Sequence, residues 1–378
     1  MRLHPWVFSG AIRKIDGQVA EGDLVEVVSN EQQFLAMGHY QIGSIAVRLF
    51  AFEPVVPDPG YWQMKIQAAW RYRETLRLTG NKETNVYRLV NGEGDGLPGL
   101  IIDFYNGIAV LQMHSIGMYR IRDQVTTALQ NIYGSGLTAV YDKSEGTLPF
   151  KAQLGAVNGL LFGNETSVVV KENGCLFNID ILKGQKTGFF IDQRDSRKLL
   201  ADFVQGKDVL NMFCYTGGFS VYALKSGASM VHSVDSSEQA VELTKHNVAL
   251  NEGETDRHLA IAADAFGYLN GIKDAYDVIV LDPPAFAKHQ DALKNALQGY
   301  KRLNAKAIEQ IRPGGIIFTF SCSQVVSKEN FRKSVFAASA NTGRHVRILY
   351  QLTQPPDHPV SMYHPEGEYL KGLVLQVE

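Results

Sequence analysis

The 378-residue chain is predicted to be an α/β protein whose C-terminal half is a doubly wound, largely parallel sheet. Three observations predict this. From about residue 190 onward, apolar strand-like runs alternate with segments of helical periodicity. Three of those runs end in loops rich in reactive or special residues: Phe213-Cys214-Tyr215-Thr216-Gly217-Gly218, Asp282-Pro283-Pro284-Ala285-Phe286 and Phe320-Ser321-Cys322-Ser323. Before residue 60 the chain breaks into short runs roughly ten residues apart, the spacing of a small β-barrel.

Taken in order, strands are expected at 23–28, 34–40 and 44–50, then a break at Pro54, Pro57 and Pro59. A helix over 61–78 follows, with Lys65, Arg71, Arg73 and Arg77 read as a solvated face. A mixed α+β segment comes next, with strands at 86–90, 100–104, 109–113, 139–141, 167–170 and 175–181 and a helix over 119–131. The final region should carry strands at 208–213, 230–235, 259–263, 276–282, 315–320, 346–352 and 370–376. Helices at 196–204, 219–226, 238–251, 292–311 and 328–340 alternate with them. The predicted domains are 1–70, 71–185 and 186–378.

Composition narrows the function classes. With 37 basic and 39 acidic residues, net −2, no whole-molecule field attracts nucleic acid, so such a partner would need a local basic surface. Three widely spaced cysteines without a C-x-x-C support neither a disulfide framework nor a cysteine zinc site. No metal is expected. Pro5 interrupts any apolar stretch at the start, and no apolar run could span a bilayer, so a cytoplasmic protein without a membrane partner is expected.

The loop after 208–213 reads as a cofactor loop. Gly217 and Gly218 permit close backbone approach, and Asp235-Ser236 ends the next strand, where a carboxylate can accept from both ribose hydroxyls. A dinucleotide is the competitor, but G-x-G-x-x-G is absent and two glycines alone cannot clamp a pyrophosphate. S-adenosylmethionine has no phosphate and suits the looser pattern. Its expected neighbours are Asn211, Phe213, Tyr215, Thr216, Gly217, Asp235, Ser236, Asp264, Ala265, Asp282 and Pro283. Asp264 is placed for the adenine amine, with a helix N-cap as its structural alternative.

Cys322 and Asp282 read as the reaction centre. C5 of a pyrimidine is a poor nucleophile until a thiolate adds at C6 and makes the ring enamine-like. Cys322 would supply that thiolate, and Asp282 would bond N3 or the amino group as charge builds. In amino-methylating enzymes an aromatic residue usually follows the second proline; here Ala285 stands there, with Phe286 one place later. Cys214 is read as packing, and Cys175 is assigned nothing. Lys288, Tyr300, Lys301 and Arg302 are placed near the entrance to this centre, with a solvated helix face as the equal alternative for the last three.

These residues resemble the bacterial 23S rRNA cytosine-5 methyltransferases, over almost the whole chain. His4-Pro5-Trp6-Val7-Phe8-Ser9-Gly10-Ala11-Ile12 looks like that family's PUA opening, and Asn91-Gly92-Glu93-Gly94-Asp95-Gly96-Leu97-Pro98-Gly99-Leu100 is similar to its middle-domain signature. Gly184-Gln185-Lys186-Thr187-Gly188-Phe189-Phe190-Ile191-Asp192-Gln193-Arg194 resembles the entrance to its cofactor domain. The resemblance implies a PUA-like barrel, an α+β middle domain and a Rossmann-like class I methyltransferase domain. It adds Lys186, Thr187, Phe189, Asp192 and Arg194 to the cofactor residues, with an ion pair to Asp192 or Asp195 as the alternative for Arg194. It implies 23S rRNA as partner, with a homodimer left open. Ala285 departs from the RNA enzymes that carry a second cysteine there, which leaves the proton-removing base unassigned. The alternatives are a methyltransferase acting on a guanine or adenine nitrogen of rRNA, and a non-catalytic RNA-binding protein.

Overall fold

The computed structural model describes residues 3–149 and 155–378; Met1, Arg2 and residues 150–154 lie outside the described residues. The chain forms two compact units. One comprises residues 1–171, 179–191 and 356–367, the other 172–178, 192–355 and 368–378.

The first unit contains both N-terminal sheets. Strands β1 (Trp6–Phe8), β2 (Leu24–Val28), β3 (Phe34–Tyr40) and β4 (Ile45–Ala51) pair antiparallel in the order β1-β4-β3-β2. β1 is an addition to the sequence reading: three residues behind Pro5 are too few to show a period. Strands β5 (Val86–Asn91), β6 (Leu100–Tyr105), β7 (Ile108–Met113), β8 (Ala139–Asp142) and β9 (Gly159–Gly163) form the second sheet in sequence order. Helix Pro59–Thr75, capped by Asp58, packs Trp62, Ile66 and Ala69 into the same core as Leu89, Leu100 and Leu111.

Two signatures quoted above meet within this unit. Trp6 Nε1 donates to Glu93 Oε1 at 2.7 Å, and Arg48 Nη1 donates to the same oxygen at 3.0 Å. Arg73 requires a correction. It was read as solvated, but it is fully buried, donating from Nη2 to Asp95 Oδ2 (2.8 Å) and to the Asp357 carbonyl (2.7 Å). Helical phase explains this, because residue 73 falls four beyond the buried Ala69.

Strands β10 (Ser167–Glu172) and β11 (Cys175–Asp180) form a two-stranded sheet of their own. The second unit is built on β12 (Asp208–Met212), β13 (Met230–Asp235), β14 (His258–Ala262), β15 (Val278–Leu281), β16 (Gly315–Ser321), β17 (Val346–Leu352) and β18 (Lys371–Val377). Their order is β14-β13-β12-β15-β16-β18-β17. The first five run parallel, and β18 inserts antiparallel between β16 and β17. The central strands are largely apolar, as suits parallel strands covered on both faces: Val209, Leu210 and Val278 to Leu281 are all essentially buried. Helix Leu293–Gln310 buries Ala296, Tyr300, Leu303 and Ala307 at alternating steps of four and three, the stripe that closes one face.

The strand order reverses between β12 and β15, where open α/β sheets bind their ligands beyond the carboxyl ends. Register fixes what lies there. Met212 pairs with Val234 and Leu281, and Leu281 pairs with Thr319. Phe213, Asp235, Asp282 and Phe320, each the next residue, therefore emerge side by side along one sheet edge.

Candidate active site

The loop after β12 enters the left-handed region at three positions, Phe213 (φ 59°), Tyr215 (φ 46°) and Gly217 (φ 74°), and is strained at the two that are not glycine. Gly217 cannot be replaced without movement. A Cβ there would lie 2.7 Å from Thr244 Cγ2, and the residue opens helix Gly218–Lys225 in the left-handed region. Asp235 holds the loop through Oδ2, which accepts from the Tyr215 amide at 3.1 Å, while its Oδ1 accepts from the Ser237 amide at 3.0 Å. Thr216 is buried and its carbonyl accepts from Asn247 Nδ2 at 2.9 Å. Ser236 is exposed beside Asp235. Asp264 is exposed and caps the short helix Ala265–Leu269 by accepting from the Gly267 amide at 2.7 Å. The cap considered from sequence is thus formed, and it engages only Oδ2.

A second set of polar groups surrounds Asp282. Gln193 Nε2 donates to Asp282 Oδ1 at 3.0 Å, and the Tyr369 hydroxyl donates to Asp192 Oδ2 at 2.8 Å. Burial, with the Asp192 carboxylate nearby, pushes Asp282 up to about 7, while the Gln193 hydrogen bond and the Arg197 charge pull it down. Near neutral pH this carboxyl is therefore present in both protonation states. Arg194 is buried and lies 3.8 Å from Asp195, the ion pair weighed as its alternative role.

Among the described residues, Asp192 Oδ1, Gln193 Oε1 and Asn211 Oδ1 are buried acceptor oxygens without a protein partner, as are Asn304 Oδ1 and Gln310 Oε1 elsewhere in this unit. Orphaned buried acceptors are costly unless a ligand donor meets them. An acceptor-rich lining fits S-adenosylmethionine, which carries an ammonium and a sulfonium.

Lys186, Thr187 and Phe189 belong to the first unit. There, Lys186 is exposed, and the Thr187 hydroxyl donates to Asp103 Oδ2 at 2.6 Å and lies 2.7 Å from the Tyr105 hydroxyl. Phe189 is buried, with its amide donating to the Tyr105 hydroxyl at 3.3 Å.

Cys322 follows β16 directly and is half-buried, so its thiol is not walled into the sheet core. Its loop is tied to the loop that holds Asp282: the Ser323 hydroxyl donates to the Ala287 carbonyl. Pro283 is buried between Asp282 and the exposed Pro284. Phe286 packs on Tyr300, with ring centroids 4.6 Å apart, so the loop's aromatic residue braces helix Leu293–Gln310. Tyr300, expected at the entrance, is instead fully buried, with its hydroxyl accepting from Ser321 Oγ at 2.9 Å. The helix stripe that buries Ala296 and Leu303 carries it inward. Burial pushes the Cys214 thiol up to about 12 and the Cys175 thiol up to about 11. Neither is poised to ionise.

Sequence reasoning missed Gln193, Tyr369 and Lys371. Gln193 stood inside a quoted motif but has no charge to draw notice, and the others depend on long-range placement.

Comparison with known proteins agrees with this fold. Residues 147–368 match the family described as S-adenosylmethionine-dependent methyltransferase, and residues 2–52 match a PUA-like domain. A protein of Alteromonas mediterranea named ribosomal RNA large subunit methyltransferase I is 39% identical, over 100% of this chain and 95% of its own length. Its namesake in Escherichia coli O139:H28 is 38% identical, over 100% and 96%. Among solved structures, SMU.776 complexed with SAH superposes with a TM-score of 0.86 at 24% identity. That match covers 100% of this chain and 96% of the other. S-adenosylmethionine is accordingly the cofactor. The chain belongs to the S-adenosylmethionine-dependent methyltransferase family that includes the proteins named ribosomal RNA large subunit methyltransferase I.

Proposed function

We propose that this protein methylates C5 of a cytosine in large-subunit ribosomal RNA, with Cys322 as the nucleophile. One observation carries the reading. A half-buried cysteine lies just past the end of β16, its loop bonded to the loop of Asp282 on the adjacent strand β15. Neighbouring strands are about 4.8 Å apart, so both groups can reach one ring. The relatives' names supply the RNA class.

The steps follow from these residues. The Cys322 thiolate forms a bond to C6 as the protonated Asp282 carboxyl gives its proton to N3, and that proton returns to Asp282 when the C5 electron pair takes the methyl group. Its value near 7 makes that donor available at neutral pH. S-adenosylmethionine, when bound, supplies the electrophilic methyl group. The C5 proton then leaves to a base, the sulfur–C6 bond breaks, and the electron pair returns to sulfur. Asp235 would hold the ribose, and Asn211, Phe213, Tyr215, Thr216, Gly217, Ser236, Asp264, Ala265 and Pro283 would line the nucleoside side. Asp192 and Arg194 would face the amino-acid tail, and Lys186, Thr187 and Phe189 are kept as cofactor residues on the resemblance alone.

The target base must be unpaired or flipped out of its helix to reach a strand-end thiol. We assign residues 1–70 to an RNA-holding PUA-like barrel, 71–185 to the middle domain and 186–378 to catalysis, in the cytoplasm. No described helix is long and apolar enough to cross a membrane.

Nucleoside analysis of large-subunit rRNA treated with the protein and S-adenosylmethionine tests this. We expect 5-methylcytidine as the new nucleoside; an N-methylated guanosine or adenosine in its place overturns the reading.

A further inference from the structure

The strand inserted beside β16 brings a charged side chain to Cys322. β18 places Lys371 opposite Ser321, the last residue of β16. Lys371 Nζ donates to the Ser323 carbonyl at 2.6 Å, and that carbonyl belongs to the residue after the cysteine. The lysine is 4% exposed, which is rare for an ammonium without a carboxylate bonded to it. A single carbonyl leaves much of the desolvation cost of a buried cation uncompensated, so a nearby anion would be stabilising.

The surrounding charges are few. Burial pushes Lys371 down to about 8; Cys322 and Glu368 act to raise it, and Lys328 to lower it. Lys328 and Glu368 pair with each other at 2.7 Å. From the helix side, burial pushes the Tyr300 hydroxyl up to about 12, so it stays neutral near pH 7. Asp282, just past the end of the neighbouring strand, also acts to raise it.

We propose that Lys371 is a positioning residue that holds Cys322 as a thiolate before it adds to the pyrimidine, its ammonium fixed against the Ser321–Ser323 turn. The proposal rests on the reading of Cys322 as nucleophile. The thiol proton passes to solvent, the freed electron pair forms the sulfur–C6 bond, and on elimination that pair returns to sulfur beside the ammonium. Nothing is oxidised or reduced.

The test is the pH dependence of iodoacetamide alkylation in the full-length protein, followed at each cysteine by peptide mass spectrometry. Cys175 and Cys214, both pushed up by burial, serve as slow internal references. In the wild type, the Cys322 midpoint should lie below the ordinary thiol value of about 8.5. Lys371→Met should raise that midpoint by about one unit and slow alkylation near pH 7 about tenfold, whereas Lys371→Arg should keep it low. A wild-type midpoint at or above the ordinary value overturns the proposal. So does an unchanged midpoint in a folded Lys371→Met variant, since a strand-end strut would alter stability without moving the titration. If Lys371→Met does not fold, the wild-type and Lys371→Arg midpoints decide. A low midpoint without 5-methylcytidine formation counts against the nucleophile reading and for the pair. A normal midpoint with 5-methylcytidine counts against the pair alone.

Discussion

Cys322→Ala should reduce turnover by about 10⁴-fold or more, the scale seen when a covalent nucleophile is removed, while S-adenosylmethionine binds as before. The two effects separate because the elements involved are separate. The loop proposed to hold the cofactor follows β12 and is held by Asp235 and Asn247, whereas Cys322 follows β16. Alanine is smaller than cysteine and leaves the Ser323–Ala287 and Lys371–Ser323 bonds with their partners. Calorimetric titration with the cofactor and single-turnover methyl transfer check the two halves. Full activity in the variant would reduce Cys322 to a packing residue.

Arg197→Met should be the most destabilising single change in the second unit, costing about 3–5 kcal/mol, the range for breaking a buried ion pair from one side. Arg197 donates from Nε and Nη2 to the two Glu172 oxygens, each at 2.8 Å, and both side chains are essentially buried. The Tyr222 hydroxyl donates to Glu172 Oε1 at 3.0 Å, so the carboxylate anchors helix Gly218–Lys225 as well. Methionine would leave Glu172 charged, buried and without its cation. The change should also weaken cofactor binding, because Arg197 Cδ lies 3.0 Å from where a Cβ on Gly218 would stand, against the first turn after the cofactor loop. Urea unfolding measures the first effect. Replacing Glu172 by leucine in the same chain should restore part of the loss, since two apolar groups leave no stranded charge.

What was legible in the sequence follows from range. The alternation from 208 to 321 could be read because buried parallel strands are apolar on both faces and end at glycine, aspartate and proline. That reading placed Asp235 and Asp282 at strand ends, which the register aligns with Phe213 and Phe320, while Gly217 and Cys322 lie in the loops that follow. Lys371 was hidden because nothing local says that β18, which starts at Lys371, returns antiparallel beside β16, which ends at Ser321. Arg73 and Tyr300 could have been found, since helical phase places both inside, but a charge and a hydroxyl drew the reading toward the surface. The exchange of 172–178, 179–191 and 356–367 between the two units leaves no compositional trace.

One pyrimidine substitution addresses the sulfur–carbon bond itself. In RNA carrying 5-fluorocytosine, methyl transfer to C5 leaves no proton there to remove, so the thiol cannot be expelled. With S-adenosylmethionine present, the protein should become covalently joined to that RNA, with the cross-linked peptide mapping to Cys322. Release of methylated RNA free of protein, or a cross-link at any other residue, would contradict the account.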